Sequence, residues 1–84
     1  FDATIQVHTC GSPLTLAAAL QLEAAIPNFC IHEHHVLNKV LWNRELGKYD
    51  IAAEKGYFTV PDRPGWGQEF SDYAVAHADK ITVK

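Results

Sequence analysis

The sequence predicts an α/β fold built on a βαβ unit, and three features of its first half carry that expectation. Residues 3–7 contain Thr4, Ile5 and Val7, types that favour extended backbone. Ser12-Pro13 opens a run rich in alanine and leucine, and Pro27 ends it. Residues 29–33 form a second short segment, apolar at its start, just after that breaker. Strand, helix and strand with short connections imply parallel strands joined by a right-handed crossover. Ligand sites in such folds gather at the carboxyl ends of the strands.

Each element has a local reason. Alternation along residues 3–8 puts Ile5 and Val7 on one face and Thr4, Gln6 and His8 on the other. Ser12 suits a helix N-cap, and Pro13 suits the first helical position, where a missing N–H costs little. In the helix, Thr15, Ala19 and Glu23 form an i, i+4 row expected to face water. Leu16, Ala17, Leu20 and Ala24 are expected to be buried. Pro27 pushes Ile26 out of the helical region. His8 and Glu33 then fall at the carboxyl ends of the two strands.

Beyond Glu33 the pattern changes. Residues 36–46 read as a short helix or irregular chain, and 57–60 as a strand or extended segment. Residues 61–67 are rich in turn formers. Residues 71–78 read as a short helix capped by Ser71, and 81–83 as an extended tail. The division expected from this is 1–35 and 36–84.

Composition narrows the function. The 84 residues allow one folding unit at most, and the chain opens at Phe1 as though within an element. It is therefore expected to be a piece of a longer polypeptide. Apolar residues make up 48% and charged residues 20%, a globular balance. The net charge of −3 and the lack of a Lys/Arg cluster argue against nucleic acid as a partner. The apolar stretch 14–26 is broken by Thr15, Gln21 and Glu23, so no membrane span or signal peptide is expected. Two cysteines, Cys10 and Cys30, are too few for a disulfide scaffold. A cytoplasmic protein with free thiols is expected, the thiols acting as small buried hydrophobes.

The chemistry-bearing residues are few. His8 titrates near neutral pH and suits acid/base work; a hydrogen-bonded structural role fits its position equally well. In His32-Glu33-His34-His35, strand alternation puts His32 and His34 on one face and Glu33 and His35 on the other. That divides the cluster and argues against zinc, as does the absence of HExxH spacing. Glu33 follows apolar residues, which suits either a functional carboxylate or an ion-paired rim residue. Arg63 lies among turn residues and reads as a clamp on its loop. Trp42, Trp66, Phe70 and Tyr73 read as packing residues. Pro64-Gly65-Trp66-Gly67 lacks the features of a phosphate loop.

Several of these segments together resemble a known family. They are Val7-His8-Thr9-Cys10-Gly11-Ser12-Pro13-Leu14, Ala17-Ala18-Ala19-Leu20-Gln21-Leu22, Ala25-Ile26-Pro27-Asn28-Phe29 and Glu33. Gly56-Tyr57, Pro61 and Pro64-Gly65-Trp66-Gly67 extend the match. The chain resembles the C-terminal part of the enolase superfamily, in the mandelate racemase branch. Within that branch it looks most like the acid-sugar dehydratases of the galactonate and mannonate type. The resemblance implies the end of a modified TIM (β/α) barrel over 1–35: strand 7, helix 7 and strand 8. It implies that 36–84 is a closing segment that packs on a capping domain.

The resemblance also implies roles. His8 matches the general base or acid at the end of the seventh strand. Glu33 matches the eighth-strand glutamate that donates a hydrogen bond to the intermediate. Such donation needs a protonated carboxyl, favoured by burial or a neighbouring negative charge. His34 and His35 would stand at the barrel mouth, within reach of substrate. Mg2+ is the implied cofactor, and its acidic ligands are absent from this segment. So is the aspartate partner of His8, and the chain alone is not expected to be active. Where related sequences often have glutamine, this chain has His32, and Trp66 replaces an aliphatic residue.

The expected activity is removal of the proton next to the carboxylate of a sugar acid. Dehydration of an aldonic acid to a 2-keto-3-deoxy acid leads. Racemase or epimerase activity, or a non-catalytic or metal-binding module, are the alternatives. A homo-oligomer is expected for the full-length protein.

Overall fold

The computed structural model describes residues 2–84, so the chain start at Phe1 lies outside the described residues. Its longest element is α1, Pro13–Ala25. A 3-10 turn follows at Val36–Lys39, then α2 at Leu41–Arg44 and α3 at Asp72–His77.

Helix α1 starts and stops where the local chemistry places it. Ser12 is the N-cap and Pro13 the first helical residue, although the Ser12 hydroxyl makes no capping bond. Ile26 leaves the helix in extended conformation, and its N–H donates to the Leu22 carbonyl at 3.2 Å. The buried face differs from expectation. Leu16, Ala17, Ala19, Leu20 and Glu23 are buried, while Ala24 is exposed. Residues 16, 19, 20 and 23 follow the i, i+3, i+4, i+7 spacing of a single helical stripe. Glu23 joins this stripe because a histidine meets it inside, described below.

The flanking segments pair in parallel, as expected, but over one position. Ile5 bridges Phe29; Ile5 N–H donates to Asn28 O at 2.8 Å, and Cys30 N–H to Ile5 O at 3.0 Å. Parallel pairing is weak per residue, and neither segment has a further strand beside it among the described residues. Ile5 and Phe29 are consequently exposed rather than buried. Cys10 and Cys30 are exposed free thiols, not the buried hydrophobes expected.

The second half wraps around α1. Asn43 Nδ2 donates to Gly11 O at 3.0 Å, and Gln21 Nε2 donates to Pro61 O at 2.7 Å. Of the strand or extended segment expected at 57–60, only Tyr57 takes part in a bridge among the described residues. Tyr57 pairs antiparallel with Glu54 across Lys55 and Gly56, which have φ of +51° and +83°. Two successive positive φ values make the tight turn typical of hairpins. Arg63 clamps its loop as expected: Nε donates to Gly67 O at 2.9 Å, and the guanidinium lies 3.7 Å over the Tyr49 ring. Ser71 caps α3 by accepting from Ala74 N–H at 3.1 Å. Residues 81–83 form no element.

The radius of gyration is 14.3 Å. A compact domain of this length would have about 12 Å. The difference matches the exposure of Trp42, Trp66, Phe70 and Tyr73, which the sequence marks as packing residues. No helix among the described residues is long and apolar enough to cross a membrane.

Candidate active site

Gln6 and His8 stand two residues apart on one extended segment and project to the same face. Glu33 meets them from the second segment, held alongside by the Ile5–Phe29 bridge. Glu33 Oε1 is in hydrogen-bond contact with His8 Nδ1, and Oε2 accepts from Gln6 Nε2 at 2.9 Å. Gln6 was not singled out by sequence reasoning. Its place two residues before His8 was the available signal.

This pair is open to solvent: the His8 and Glu33 side chains are 69% and 40% exposed. The His8 contact, then the Gln6 donor, hold the Glu33 carboxyl below the usual carboxylate range. Burial opposes them slightly, and the charges of His8 and His35 add to them. An ionised carboxylate can only accept, so with Glu33 ionised it is His8 Nδ1 that donates in the pair. That leaves His8 Nε2 as the ring atom for proton exchange. The donor role that the resemblance implies for Glu33 requires a proton, and the surroundings here favour the ionised form.

The four-residue cluster divides by face. His32 turns inward: its Nδ1 lies 2.9 Å from both Oε atoms of Glu23. His34 follows it, and both rings pack on Phe58 with centroids 5.0 and 5.1 Å away. Burial, with the charges of Lys39 and His32 nearby, pushes the His34 imidazole below its usual range. His35 lies on the Glu33 side, where its charge reaches that carboxyl, and its Nδ1 accepts from Leu37 N–H at 3.1 Å. The structure thus separates the two candidate substrate-binding histidines, with His35 near the His8–Glu33 pair and His34 against Phe58. A cleft of about 500 Å³ lies on the His34 side, between Leu20, Glu23, Phe29, His32 and Phe58.

No set of three His, Cys, Asp or Glu side chains converges among the described residues. The described residues do not compose a magnesium site.

The chain has clear relatives. The description "Enolase C-terminal domain-like" matches residues 1–74. D-xylonate dehydratase of Haloferax volcanii is 32% identical over 63 residues, covering 75% of this chain and 15% of that enzyme. A solved enolase superfamily member from Salmonella Typhimurium superposes with a TM-score of 0.92 at 42% identity. The match covers 99% of this chain and 21% of that one. A second Salmonella structure, provisionally described as a dehydratase, gives 0.88 at 46% identity, covering 96% and 20%. The chain thus spans about a fifth or less of the relatives it matches, and its fold is that of part of the superfamily's C-terminal barrel domain. With 74 residues matched and the His8–Glu33 pair brought together by the fold, the chain belongs to the enolase C-terminal domain-like family.

Proposed function

We propose that the polypeptide carrying this chain dehydrates an aldonic acid to a 2-keto-3-deoxy acid. In this reading, residues 1–35 are strand 7, helix 7 and strand 8 of its barrel, and 36–84 close against its capping domain. The observation that carries it is the His8–Glu33 pair, joined at the ends of two parallel-bridged segments. The dehydratase relatives support the choice of reaction.

In the reaction, a base outside these 84 residues takes the C2 proton, and the C3 hydroxide leaves as water with a proton from His8. The enol so formed becomes the ketone. His8 acts at Nε2 as a general acid, giving a proton to the departing hydroxide. Glu33 holds the ring through Nδ1, and Gln6 holds Glu33. His35, whose charge reaches Glu33, meets the substrate's polar end. Magnesium, held by residues outside these 84, supplies charge stabilisation next to the carboxylate.

The test is incubation of the full-length protein and Mg2+ with a panel of aldonic acids, beginning with D-xylonate. Formation of a 2-keto-3-deoxy acid is expected. Exchange of the C2 proton with solvent deuterium without loss of water would replace the reading with a racemase or epimerase. No reaction on any member would remove it.

A further inference from the structure

The ring of His35 is fixed by its own stretch of chain. His35 caps the 3-10 turn Val36–Lys39 from extended backbone, with φ of −71° and ψ of 143°. Its carbonyl accepts from Asn38 N–H at 3.0 Å, and its ring Nδ1 accepts from Leu37 N–H at 3.1 Å. Both contacts lie within residues 35–38, so they do not depend on what the remaining barrel strands supply.

The Leu37 bond decides where the ring hydrogen sits. A backbone N–H can only donate, so Nδ1 offers its lone pair and carries no hydrogen. The ring hydrogen is then on Nε2, which is left as a donor. A second proton enters only at Nδ1, by breaking the Leu37 bond. A neutral imidazole N–H gives a hydrogen bond but keeps its proton near neutral pH, so in this state His35 exchanges none. His8 is set the opposite way, with Nδ1 on Glu33 and Nε2 as the exchanging atom. Alternation along the extended residues 33–35 puts His35 on the Glu33 side, where His8 also stands.

We infer that His35 is a specificity-determining residue that presents a fixed Nε2–H to a carboxylate or hydroxyl oxygen of the aldonic acid and takes no part in proton transfer. This deepens the proposed function and rests on it for the substrate. A site built around such a donor rejects a ligand without the matching oxygen, because the donor is then left unpaired.

The experiment uses the full-length protein with ¹⁵N-labelled histidine and compares wild type with His35→Asn. Asparagine is a good N-cap, so its Oδ1 replaces Nδ1 toward Leu37 N–H, while nothing replaces the Nε2–H. The variant therefore keeps the turn and loses the donor. The wild-type spectrum is expected to hold one ring with its hydrogen on Nε2 and a bare Nδ1, missing from the variant. That Nε2 signal should shift on saturation with the aldonic acid turned over fastest, or with D-xylonate where none is turned over. The variant should melt within a few degrees of wild type. Its KM should rise about tenfold, near the upper worth of one neutral hydrogen bond, with kcat changed less than about threefold. A His35 ring with its hydrogen on Nδ1, an Nε2 signal unmoved by the acid, or an unchanged KM overturns the inference. So does a fall in kcat at constant KM, which would return His35 to the proton transfer. The two NMR readouts do not depend on turnover. A wild type that dehydrates nothing yet shows both removes the proposed reaction and leaves the donor standing.

Discussion

Residues 2–35 and residues 36–84 are held by different physics. The buried face of the first region is mostly apolar and lies on one helix: Leu16, Ala17, Ala19 and Leu20, with Glu23 as the polar exception. In the second region the buried side chains include Asn38, Asn43 and Gln68. Gln68 alone accepts from Tyr49 N–H at 3.0 Å and Glu69 N–H at 3.0 Å, and donates to Tyr49 O at 2.6 Å. Apolar burial has no direction, whereas a hydrogen bond fails when its geometry fails. The first region should therefore tolerate swaps of shape and the second should not. The first region also carries the candidate chemistry, so a regular scaffold supports the acting groups and an irregular strap covers it.

The strongest way to break this comparison is to separate chemistry from stability in the first region. His8→Asn should lower dehydration by about 10²–10⁴-fold, the usual worth of an acid/base group. Circular dichroism and melting should stay near wild type, since the side chain is largely exposed. Turnover at the wild-type rate would take the proton-transfer role away from His8.

Next comes the apolar face itself. Leu20→Ala should destabilise by about 2–5 kcal/mol, and Leu20→Met by less than about 1.5 kcal/mol. Urea unfolding of both variants would show whether packing volume governs this region. Equal losses would mean that it does not.

The second region should show the opposite ordering. Gln68→Leu conserves much of the volume yet strands the Tyr49 N–H and C=O, at about 1–3 kcal/mol. A neutral result in the same urea series would erase the distinction between the regions.

The smallest effect concerns Glu33. Its carboxyl is lowered mainly by the His8 contact and then by Gln6. A lowered folded-state pKa means that the contribution is complete above the unfolded value and is lost as pH falls through the folded one. The His8–Glu33 contact should therefore persist through neutral pH and weaken only in acid. Carboxyl ¹³C titration by NMR would follow it. A Glu33 that titrates above an ordinary glutamate would sharpen the picture in the other direction, restoring the hydrogen-bond donor role that the family resemblance implies.

Local chemistry made several features legible in advance. Pro13 and Pro27 bound α1 because each restricts backbone angles within its own neighbourhood. Ser71 caps α3 for the same local reason. Alternation correctly placed Gln6 with His8, and Glu33 opposite His32, because period two follows from the extended backbone alone. The burial of Glu23 was not legible. A glutamate on a helix reads as solvated until a partner is known, and His32 is nine residues away. Of the strand or extended segment expected at 57–60, only Tyr57 pairs, with Glu54 across the Lys55–Gly56 turn.

By itself, then, the sequence determined where α1 begins and ends, which residues share a face, and which family the motifs belong to. These follow from short-range sterics and from residue identity. The tertiary structure alone decided that the Glu33 carboxyl meets His8 and Gln6 and is held below the usual carboxylate range, that His34 packs on Phe58 while His35 caps the next turn, and that Glu23 is buried on His32. Apart from the His35 cap, each of these depends on two groups distant in the chain meeting at a few ångströms, where hydrogen bonding and desolvation outweigh any local preference.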